Sequence, residues 1–329
     1  MRAVICSSFG PPENLELREV PLPEPAADEV RVAIEACGVN FPDTLIIQGK
    51  YQLRPDLPFS PGGEIAGVVS GVGANVTGFR EGDPVIAVNG YGGFAEALVL
   101  AADRVMPRPP HLEPVTAAGF SMTYGTAIHA LAQRADIKAG ETLLVLGAGG
   151  GVGLAAVEVG RLLGARVIAA ASSEEKLAAA RKQGAVETIN YSTESLRDRA
   201  KELTGGKGVD VVFDPVGSDL LEPALRAAAW RGRVLVIGFA GGAIPKIPAN
   251  LVLLKGCSLV GVFWGAFRQY EPKVEAANFQ RLFDWHERGE LRPLIGAVRP
   301  LAEAPAALRA LADRTAVGKI VLTTDLGGS

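Results

Sequence analysis

Apolar and polar positions fall into two different patterns along the chain. Up to about residue 123, short apolar runs are separated by proline and glycine, as in Val30–Ile34, Ala66–Val69 and Pro84–Val88. Short runs of this kind with frequent turn residues are typical of strands in a small β-rich domain. We therefore predict a barrel or sandwich-like domain in this part of the chain.

From Thr123 onwards, apolar runs that predict strands alternate with amphipathic stretches that predict helices. Such alternation is typical of a parallel sheet covered by helices on both faces. We therefore predict a doubly wound α/β sheet of Rossmann type. The predicted elements are strand Thr142–Leu146, helix Gly151–Leu163, strand Arg166–Ala170, helix Ser173–Gln183, strand Val209–Phe213, helix Leu220–Trp230, strand Arg233–Ile237, strand Ser258–Phe263, an amphipathic stretch Val274–Arg288 and a last strand Lys319–Thr323.

Composition and charge exclude several classes of function. Of the 329 residues, 48% are hydrophobic and 21% are charged, which favours a globular protein with a sizeable core. The net charge of −3 comes from interspersed residues without a basic stripe, so neither nucleic acid nor a membrane is an expected partner. Three scattered cysteines form no disulfide framework and no signal peptide is evident, so we expect a cytoplasmic protein.

The clearest local motif is a glycine-rich loop, residues 147–153, between a predicted strand and a predicted helix. The best fit to a GxGxxG pattern is Ala148-x-Gly150-x-x-Gly153, with alanine in the first place. Gly150 and Gly151 would let main-chain N–H groups approach a pyrophosphate, and Gly153 would let the helix pack closely on the strand. The motif predicts a dinucleotide site; the alternative is a tight turn in an ordinary α/β domain.

The end of the second predicted strand bears on the choice of cofactor. NAD enzymes usually carry an acidic residue about 20 residues after the loop, where it binds the ribose 2′-hydroxyl. This chain has Ser172 and Ser173 instead, followed by Lys176. Small hydroxyls and a lysine favour the 2′-phosphate of NADPH. Ser172 with Glu175 also fits a helix capping box, and the two interpretations are compatible.

Further motifs are spread over nearly the whole chain. They are residues 38–44 (GVNFPDT), 61–67 (PGGEIAG), 81–85 (EGDPV), 189–191 (INY), 204–210 (TGGKGVD) and 318–322 (GKIVL). With the glycine loop, they resemble the medium-chain dehydrogenase/reductase superfamily, in its zinc-free quinone oxidoreductase (zeta-crystallin-like) branch. One departure is Leu45, where this branch often has tyrosine, and it implies a different shape of acceptor pocket.

The resemblance implies a discontinuous architecture and a set of cofactor contacts. Residues 1–123 and 268–329 would form a GroES-like catalytic domain, and residues 124–267 an inserted Rossmann domain that binds NADPH. The implied cofactor-binding residues are Asn40 and Thr126 at the nicotinamide; Gly150, Gly151 and Val152 at the pyrophosphate; Ser172, Lys176 and Tyr191 at the 2′-phosphate; and Val216, Gly238, Phe239, Phe263, Gly318 and Lys319 along the rest of the groove.

No metal site is expected. Zinc-dependent members of the superfamily bind the metal with a cysteine and a histidine, and the corresponding residues here are Asn40 and Gly63, which are not normal zinc ligands. The three histidines stand in no motif that predicts a catalytic base. We place Asn40, Asp43 and Tyr51 near the acceptor as positioning groups; Asp43 alternatively ties a turn.

A cofactor site without a metal ion, and without a catalytic base that a sequence motif predicts, favours acceptors that are already electrophilic. We therefore predict NADPH-dependent reduction of quinones or similar small molecules. The alternatives are an enone or enoyl-thioester reductase, and an NADPH-binding, crystallin-like protein without turnover. The apolar strand Ser258–Phe263 would end the sheet, and such an edge invites pairing, so we expect a homodimer through this strand.

Overall fold

The computed structural model describes residues 1–327. In this range the strands are β1 (Arg2–Ile5), β2 (Glu16–Glu19), β3 (Glu29–Val39), β4 (Glu64–Val72), β5 (Pro84–Val88), β6 (Ala97–Ala101), β7 (Val105–Pro107), β8 (Thr142–Leu146), β9 (Arg166–Ala171), β10 (Glu187–Asn190), β11 (Val209–Asp214), β12 (Ala228–Val236), β13 (Ser258–Gly261), β14 (Ile295–Pro300) and β15 (Lys319–Thr323).

The helices of the same range follow, with short 3₁₀ turns elsewhere and a π-helical turn at His129–Arg134. They are α1 (Phe41–Ile46), α2 (Pro114–Ala118), α3 (Ser121–Ile128), α4 (Gly151–Leu162), α5 (Glu174–Lys182), α6 (Leu196–Leu203), α7 (Leu221–Ala227), α8 (Ala249–Lys255), α9 (Trp264–Tyr270), α10 (Pro272–Glu287) and α11 (Ala304–Ala312). None of these helices is long and apolar enough to cross a membrane.

The chain divides into two compact units. The first contains Met1–Met122 and the tail from Ile295, and the second contains Thr123–Leu294. The sequence had assigned residues 268–294 to the GroES-like domain, and the structure groups them with the second unit instead. The reason is that α10 is tied to that unit by hydrogen bonds, from Trp264 to Glu275 and between Gln133 and Asn278.

The first unit is built on a mainly antiparallel sheet in the order β14-β15-β3-β4-β5-β7, with β6 also paired to β3. Only β14 and β15 run parallel within it. Strand β3 alternates buried residues such as Val30, Val32 and Ile34 with half-exposed ones such as Arg31, which is the pattern of a sheet with one face in the core. The tail strand β15 lies directly beside β3, so residues from the two ends of the sequence share this sheet.

The second unit contains a parallel sheet in the order β10-β9-β8-β11-β12-β13. Numbered from its first strand, this is the 3-2-1-4-5-6 order of the Rossmann fold. The predicted fold class is therefore confirmed. In such sheets ligands bind at the carboxyl ends of the strands where the order reverses, which here is between β8 and β11.

Two predicted elements of this unit end two or three residues earlier than expected. The helix predicted to reach Trp230 ends at Ala227, because Ala228 already pairs with Val209 in the sheet. The last strand ends at Gly261 rather than Phe263, since its pairing with β12 stops there.

Candidate active site

The glycine loop joins β8 to α4 and is shaped by two glycines. Gly147 has φ +59, a left-handed conformation that favours glycine. A Cβ atom on Gly153 would lie 2.3 Å from the carbonyl oxygen of Gly147, so only glycine lets the helix pack this closely on the loop. At Gly150, by contrast, the nearest atom to an added Cβ would be 3.6 Å away. The loop is thus tight where it packs and open at the start of the helix.

The start of α4 is suited to an anion. Its first helical hydrogen bond runs from the N–H of Leu154 to the carbonyl of Gly150. The N–H groups of Gly151, Val152 and Gly153 precede that bond, in the first turn where N–H groups have no helical acceptor. Together with the helix dipole, these groups favour a phosphate.

Lys176 and Ser172 lie beside this loop. The ammonium of Lys176 is 3.4 Å from the hydroxyl of Ser172, and a Cβ on Gly149 would be 2.4 Å from the Cβ of Lys176. The capping interpretation was wrong by one residue: Ser173, not Ser172, caps α5, because Ser173 still has extended backbone and its hydroxyl accepts the N–H of Lys176. Ser172 therefore has no part in capping.

Asp214, at the end of β11, fixes the loop that follows this strand, residues 215–217. Its buried carboxylate accepts the N–H groups of Val216 and Gly217, both at 2.8 Å, and burial raises the pKa of this carboxyl. These hydrogen bonds turn the loop after β11 so that Val216 packs against Gly147 of the glycine loop. Sequence reasoning did not single out Asp214; the signal was a carboxylate at the end of an apolar strand.

The other residues that the sequence assigned to the cofactor in this unit differ in exposure. Thr126, Tyr191, Gly238 and Phe239 are half-buried, as are Gly150, Gly151 and Val152. Phe263 is 60% exposed at the start of α9. Tyr191 follows β10 and its N–H bonds to Ala171 at the end of β9, so it is close to Ser172 along the same sheet edge.

In the first unit, Asn40, Glu64 and Lys319 form a buried polar triad. The end of β3 lies between β15 and β4, with Ile320 opposite Val39 and Glu64 opposite Gly38. This register brings the first residues of β15 and β4 to Asn40. The ammonium of Lys319 bonds to Glu64 Oε1 and to Asn40 Oδ1, the latter at 2.5 Å. Asn40 Nδ2 donates to Glu64 Oε1 at 3.0 Å.

Asp43 and Tyr51 adjoin the triad. Asp43 Oδ2 accepts the main-chain N–H of Asn40 at 2.7 Å and so fixes the start of α1. Burial is the main cause that raises the pKa of Asp43 to about 7. Burial, followed by the charge of Asp43, also raises the pKa of Tyr51, whose ring packs partly against the core of this unit. The structure therefore brings Asn40 and Asp43 into direct contact and Tyr51 within reach of the Asp43 charge.

His129 is a buried packing residue of the second unit and not a catalytic base. Its ring stacks on Phe267 with centroids 3.8 Å apart, and burial lowers its pKa to about 4. The imidazole is therefore neutral at physiological pH and serves the core of the second unit.

Comparison with known proteins agrees with this architecture. A model described as alcohol dehydrogenase GroES-like domain matches residues 26–110, and one described as zinc-binding dehydrogenase matches residues 151–278. Quinone oxidoreductase-like protein 2 of Bos taurus is 41% identical over 98% of this chain and 92% of its own. The chain belongs to the quinone oxidoreductase branch of the medium-chain dehydrogenase/reductase superfamily. It is an oxidoreductase.

Solved structures of this superfamily match the fold closely. Escherichia coli quinone oxidoreductase in complex with NADPH has a TM-score of 0.91 at 31% identity, covering 98% of this chain and 100% of that one. The enoyl reductase CurK has a TM-score of 0.88 at 26% identity, covering 98% of this chain and 99% of that one.

One of the two matching families is described as a zinc-binding dehydrogenase, but the residues of the triad do not suit a zinc ion. The positions that correspond to zinc ligands are Asn40 and Gly63, and the ammonium of Lys319 bonds to both Asn40 and Glu64. A divalent cation beside that ammonium would be strongly repelled. Nowhere in residues 1–327 do three or more His, Cys, Asp or Glu side chains gather in a way that could hold a metal ion.

Glu64 is the residue of the first unit that sequence reasoning missed. Lys319 was assigned to the cofactor groove; in the structure its ammonium bonds to Asn40 and Glu64, and the residue is only 5% exposed. A signal for Glu64 existed, because a carboxylate opens the otherwise apolar run Ile65–Val69. Its partners could not be read from the sequence, since they lie 24 and 255 residues away.

Proposed function

We propose that this oxidoreductase uses NADPH to reduce quinones or similar small electrophilic acceptors. The observation that carries the proposal is the meeting of Lys176, Ser172 and the glycine loop at the carboxyl ends of β8 and β9. A lysine and a hydroxyl at that place suit a 2′-phosphate, whereas NAD sites usually have a carboxylate there.

The chain's own residues fit NADPH. Gly150, Gly151 and Val152 would bind the pyrophosphate, and Ser172, Lys176 and Tyr191 the 2′-phosphate. Val216, Gly238, Phe239 and Phe263 would line the rest of the groove, with Thr126 at the nicotinamide. The cofactor supplies the hydride when bound; the protein's part is to hold and orient it.

The polar groups that we place near the acceptor favour an electrophilic substrate over an alcohol. They are Asn40, Asp43 and Tyr51. Alcohol oxidation requires removal of the hydroxyl proton as hydride leaves, which a zinc ion or a base normally assists. The ammonium of Lys319 bonds to Asn40, which stands in the place of a zinc ligand of the metal-dependent members, and His129 is buried against Phe267. The polar groups that remain are suited to positioning, with Tyr51 also able to donate a proton.

A second candidate is the reduction of an activated carbon–carbon double bond, as in an enone or enoyl thioester. The similarity to the enoyl reductase CurK favours it. This reaction requires a proton at the carbon next to the carbonyl, and Tyr51 would be its donor.

The test is NADPH consumption with 9,10-phenanthrenequinone and with a panel of enones, followed by 2-propanol with NADP⁺. We expect turnover with the quinone and none with the alcohol; efficient alcohol oxidation would refute both candidates. In Tyr51→Phe, a loss of about 10²- to 10⁴-fold with the enones alone would identify a proton donor and favour the second candidate. Tyr270→Phe, at an 84% exposed site, is the matched control.

We also propose a homodimer formed through β13. This strand ends the sheet, and Leu259 on it is partly exposed. Trp230 on β12 and Leu253 and Leu254 on α8, the helix that precedes β13, are 73%, 78% and 72% exposed. Exposed apolar side chains of this size favour an interface.

The three cysteines, Cys6, Cys37 and Cys257, are buried and form no disulfide, which fits a reducing cytoplasm.

A further inference from the structure

Two loops at the carboxyl edge of the parallel sheet are bonded to each other. They are residues 215–218, which follow β11, and residues 237–243, which follow β12. Three main-chain hydrogen bonds of 2.8–3.1 Å join them, here with the N–H donor first: Ala240 to Pro215, Gly241 to Val216 and Ser218 to Ala243. The two loops therefore form one structure, which we call the β11–β12 wall.

Asp214 bonds to both loops of this wall. Its side-chain Oδ1 accepts the N–H groups of Val216 and Gly217, each at 2.8 Å. Its main-chain oxygen accepts those of Ile237 and Gly238, at 3.0 and 3.4 Å. The residue is only 1% exposed, and a carboxylate buried to this extent is stable only when it is hydrogen-bonded. The wall is thus fixed at the end of β11 by a single residue.

The backbone of the wall is strained and closely packed. Gly217 and Ser218 have positive φ angles of 63° and 51°, and a residue other than glycine rarely adopts such an angle. A Cβ on Gly217 would lie 2.7 Å from the ring of Phe239, and a Cβ on Gly241 would lie 2.8 Å from the carbonyl oxygen of Val216. Strained backbone persists only where its surroundings hold it, and it is concentrated at ligand sites.

The strand order places the wall at one end of the proposed NADPH site. The order along the carboxyl edge is β9, β8, β11, β12. Ser172 and Lys176 follow β9, the glycine loop follows β8, and the wall follows β11 and β12. Neighbouring strands are about 4.8 Å apart, so the edge from β9 to β12 spans roughly 14 Å. A dinucleotide with its 2′-phosphate at β9 and its pyrophosphate at β8 therefore extends its nicotinamide riboside along the wall.

We propose that Asp214 is a positioning residue for the nicotinamide-riboside half of the cofactor. It holds the wall in one arrangement before the cofactor binds, so that Val216, Gly238 and Phe239 need not be ordered at the cost of affinity. The adenosine half, at β9 and β8, does not depend on Asp214. The inference rests on the proposed function and divides its cofactor site into two parts.

The test compares NADPH with 2′,5′-ADP, which has the adenosine and the 2′-phosphate but no nicotinamide riboside. Isothermal titration calorimetry measures both Kd values without catalysis. Asp214→Leu is similar in size but accepts no hydrogen bond. NADPH must then order at least one more loop residue when it binds, so its Kd should rise about 5- to 30-fold. The Kd of 2′,5′-ADP should be nearly unchanged, and Asp214→Asn, whose amide oxygen still accepts, should keep the original ratio of the two Kd values.

Asp210→Leu is the matched control. Asp210 lies near the other end of β11, where its carboxylate accepts the N–H of Thr142 at 2.9 Å. This variant should lower the Tm and leave the ratio of the two Kd values unchanged. The same result for Asp214→Leu would mean that Asp214 is merely structural and would overturn the inference. A loss of the ratio in Asp214→Asn as large as in Asp214→Leu would overturn the role of its hydrogen bonds.

Gly241→Ala decides the matter if Asp214→Leu does not fold, as judged by circular dichroism. It leaves Asp214 intact, but its Cβ would lie 2.7 Å from the Cβ of Ser218 and 2.8 Å from the carbonyl oxygen of Val216, so it separates the two loops. The Kd of NADPH should again rise while that of 2′,5′-ADP stays the same. An unchanged Kd of NADPH in this variant would overturn the inference.

Two results separate this inference from the proposed function. No binding of NADPH by the unmodified protein would refute the proposed function itself. Normal NADPH binding and quinone turnover, with an unchanged ratio of the two Kd values in Asp214→Leu and Gly241→Ala, would refute only the positioning role of Asp214.

Discussion

Lys176 is the single side chain on which the preference for NADPH should depend. It lies over Gly149 and beside Ser172, so its ammonium is placed to meet a 2′-phosphate. A charge-assisted hydrogen bond is worth about 1.5–3 kcal/mol, so Lys176→Ala should weaken NADPH binding roughly 10- to 150-fold. NADH, which lacks the phosphate, should be nearly unaffected, as measured by fluorescence titration of both cofactors.

The matched control is Lys182→Ala, which removes an exposed lysine from the other end of the same helix. It should change neither affinity. Equal binding of NADPH and NADH by the unmodified protein would contradict the assignment of Lys176.

At the scale of elements, the glycine loop and α4 allow a paired prediction. Gly150→Ala places its Cβ at an ordinary contact distance, 3.6 Å from the carbonyl oxygen of Gly147, with allowed backbone angles, so the protein should fold normally and bind NADPH more weakly. Gly153→Ala places its Cβ against main-chain atoms that cannot move aside, so it should lower the stability by about 1–3 kcal/mol. Thermal unfolding and NADPH titration of both variants distinguish the two roles; an equally destabilised Gly150→Ala would show that our description of the loop is wrong.

The junction of α9 and α10 predicts a dependence of stability on pH. Glu275 accepts the indole N–H of Trp264 at 2.7 Å, and burial is the main cause that raises its pKa from 4.5 to about 7, against the opposing effects of Trp264, Arg268 and Asn278. Because the folded state favours the protonated form, the contribution of Glu275 is greatest below about pH 4.5 and declines as the pH rises to about 7.

Glu275→Gln should remove this decline, because the amide oxygen still accepts from Trp264 and carries no charge. In urea unfolding, the variant should exceed the unmodified protein by on the order of 3 kcal/mol at pH 8 and by less than about 1 kcal/mol at pH 5. Glu271→Gln, an exposed carboxyl at the start of the same helix, should show no such difference. A constant gap between pH 5 and pH 8 would mean that Glu275 is not protonated on folding.

At the scale of the whole molecule, the edge at β13 predicts the oligomeric state. Light scattering at micromolar concentration should show a dimer. Leu254→Glu, which places a charge in the exposed apolar group beside this strand, should yield monomers. Val186→Glu, at a 65% exposed site next to β10 at the opposite edge of the sheet, should remain dimeric. A monomeric unmodified protein would exclude the proposed interface.

The limits of sequence reasoning differ between the two units. In the second unit, the order of strand, glycine loop and helix could be predicted because hydrophobic periodicity and turn residues are local properties of the sequence. The errors there lay at element ends, at Ser173, Ala228 and Gly261, where a cap or a neighbouring strand decides the boundary. In the first, Asn40 and Lys319 were named singly, whereas Glu64 and the contacts among the three were missed.

The sequence by itself determined the element order, the dinucleotide loop and the family, because each is encoded in neighbouring residues or in motifs. Only the tertiary structure decided that Lys319 turns its ammonium to Asn40 and Glu64, across 279 and 255 residues of chain. The physical reason is strand register: β15 and β4 pair with opposite sides of β3, and a pairing between distant strands cannot be read from either strand alone.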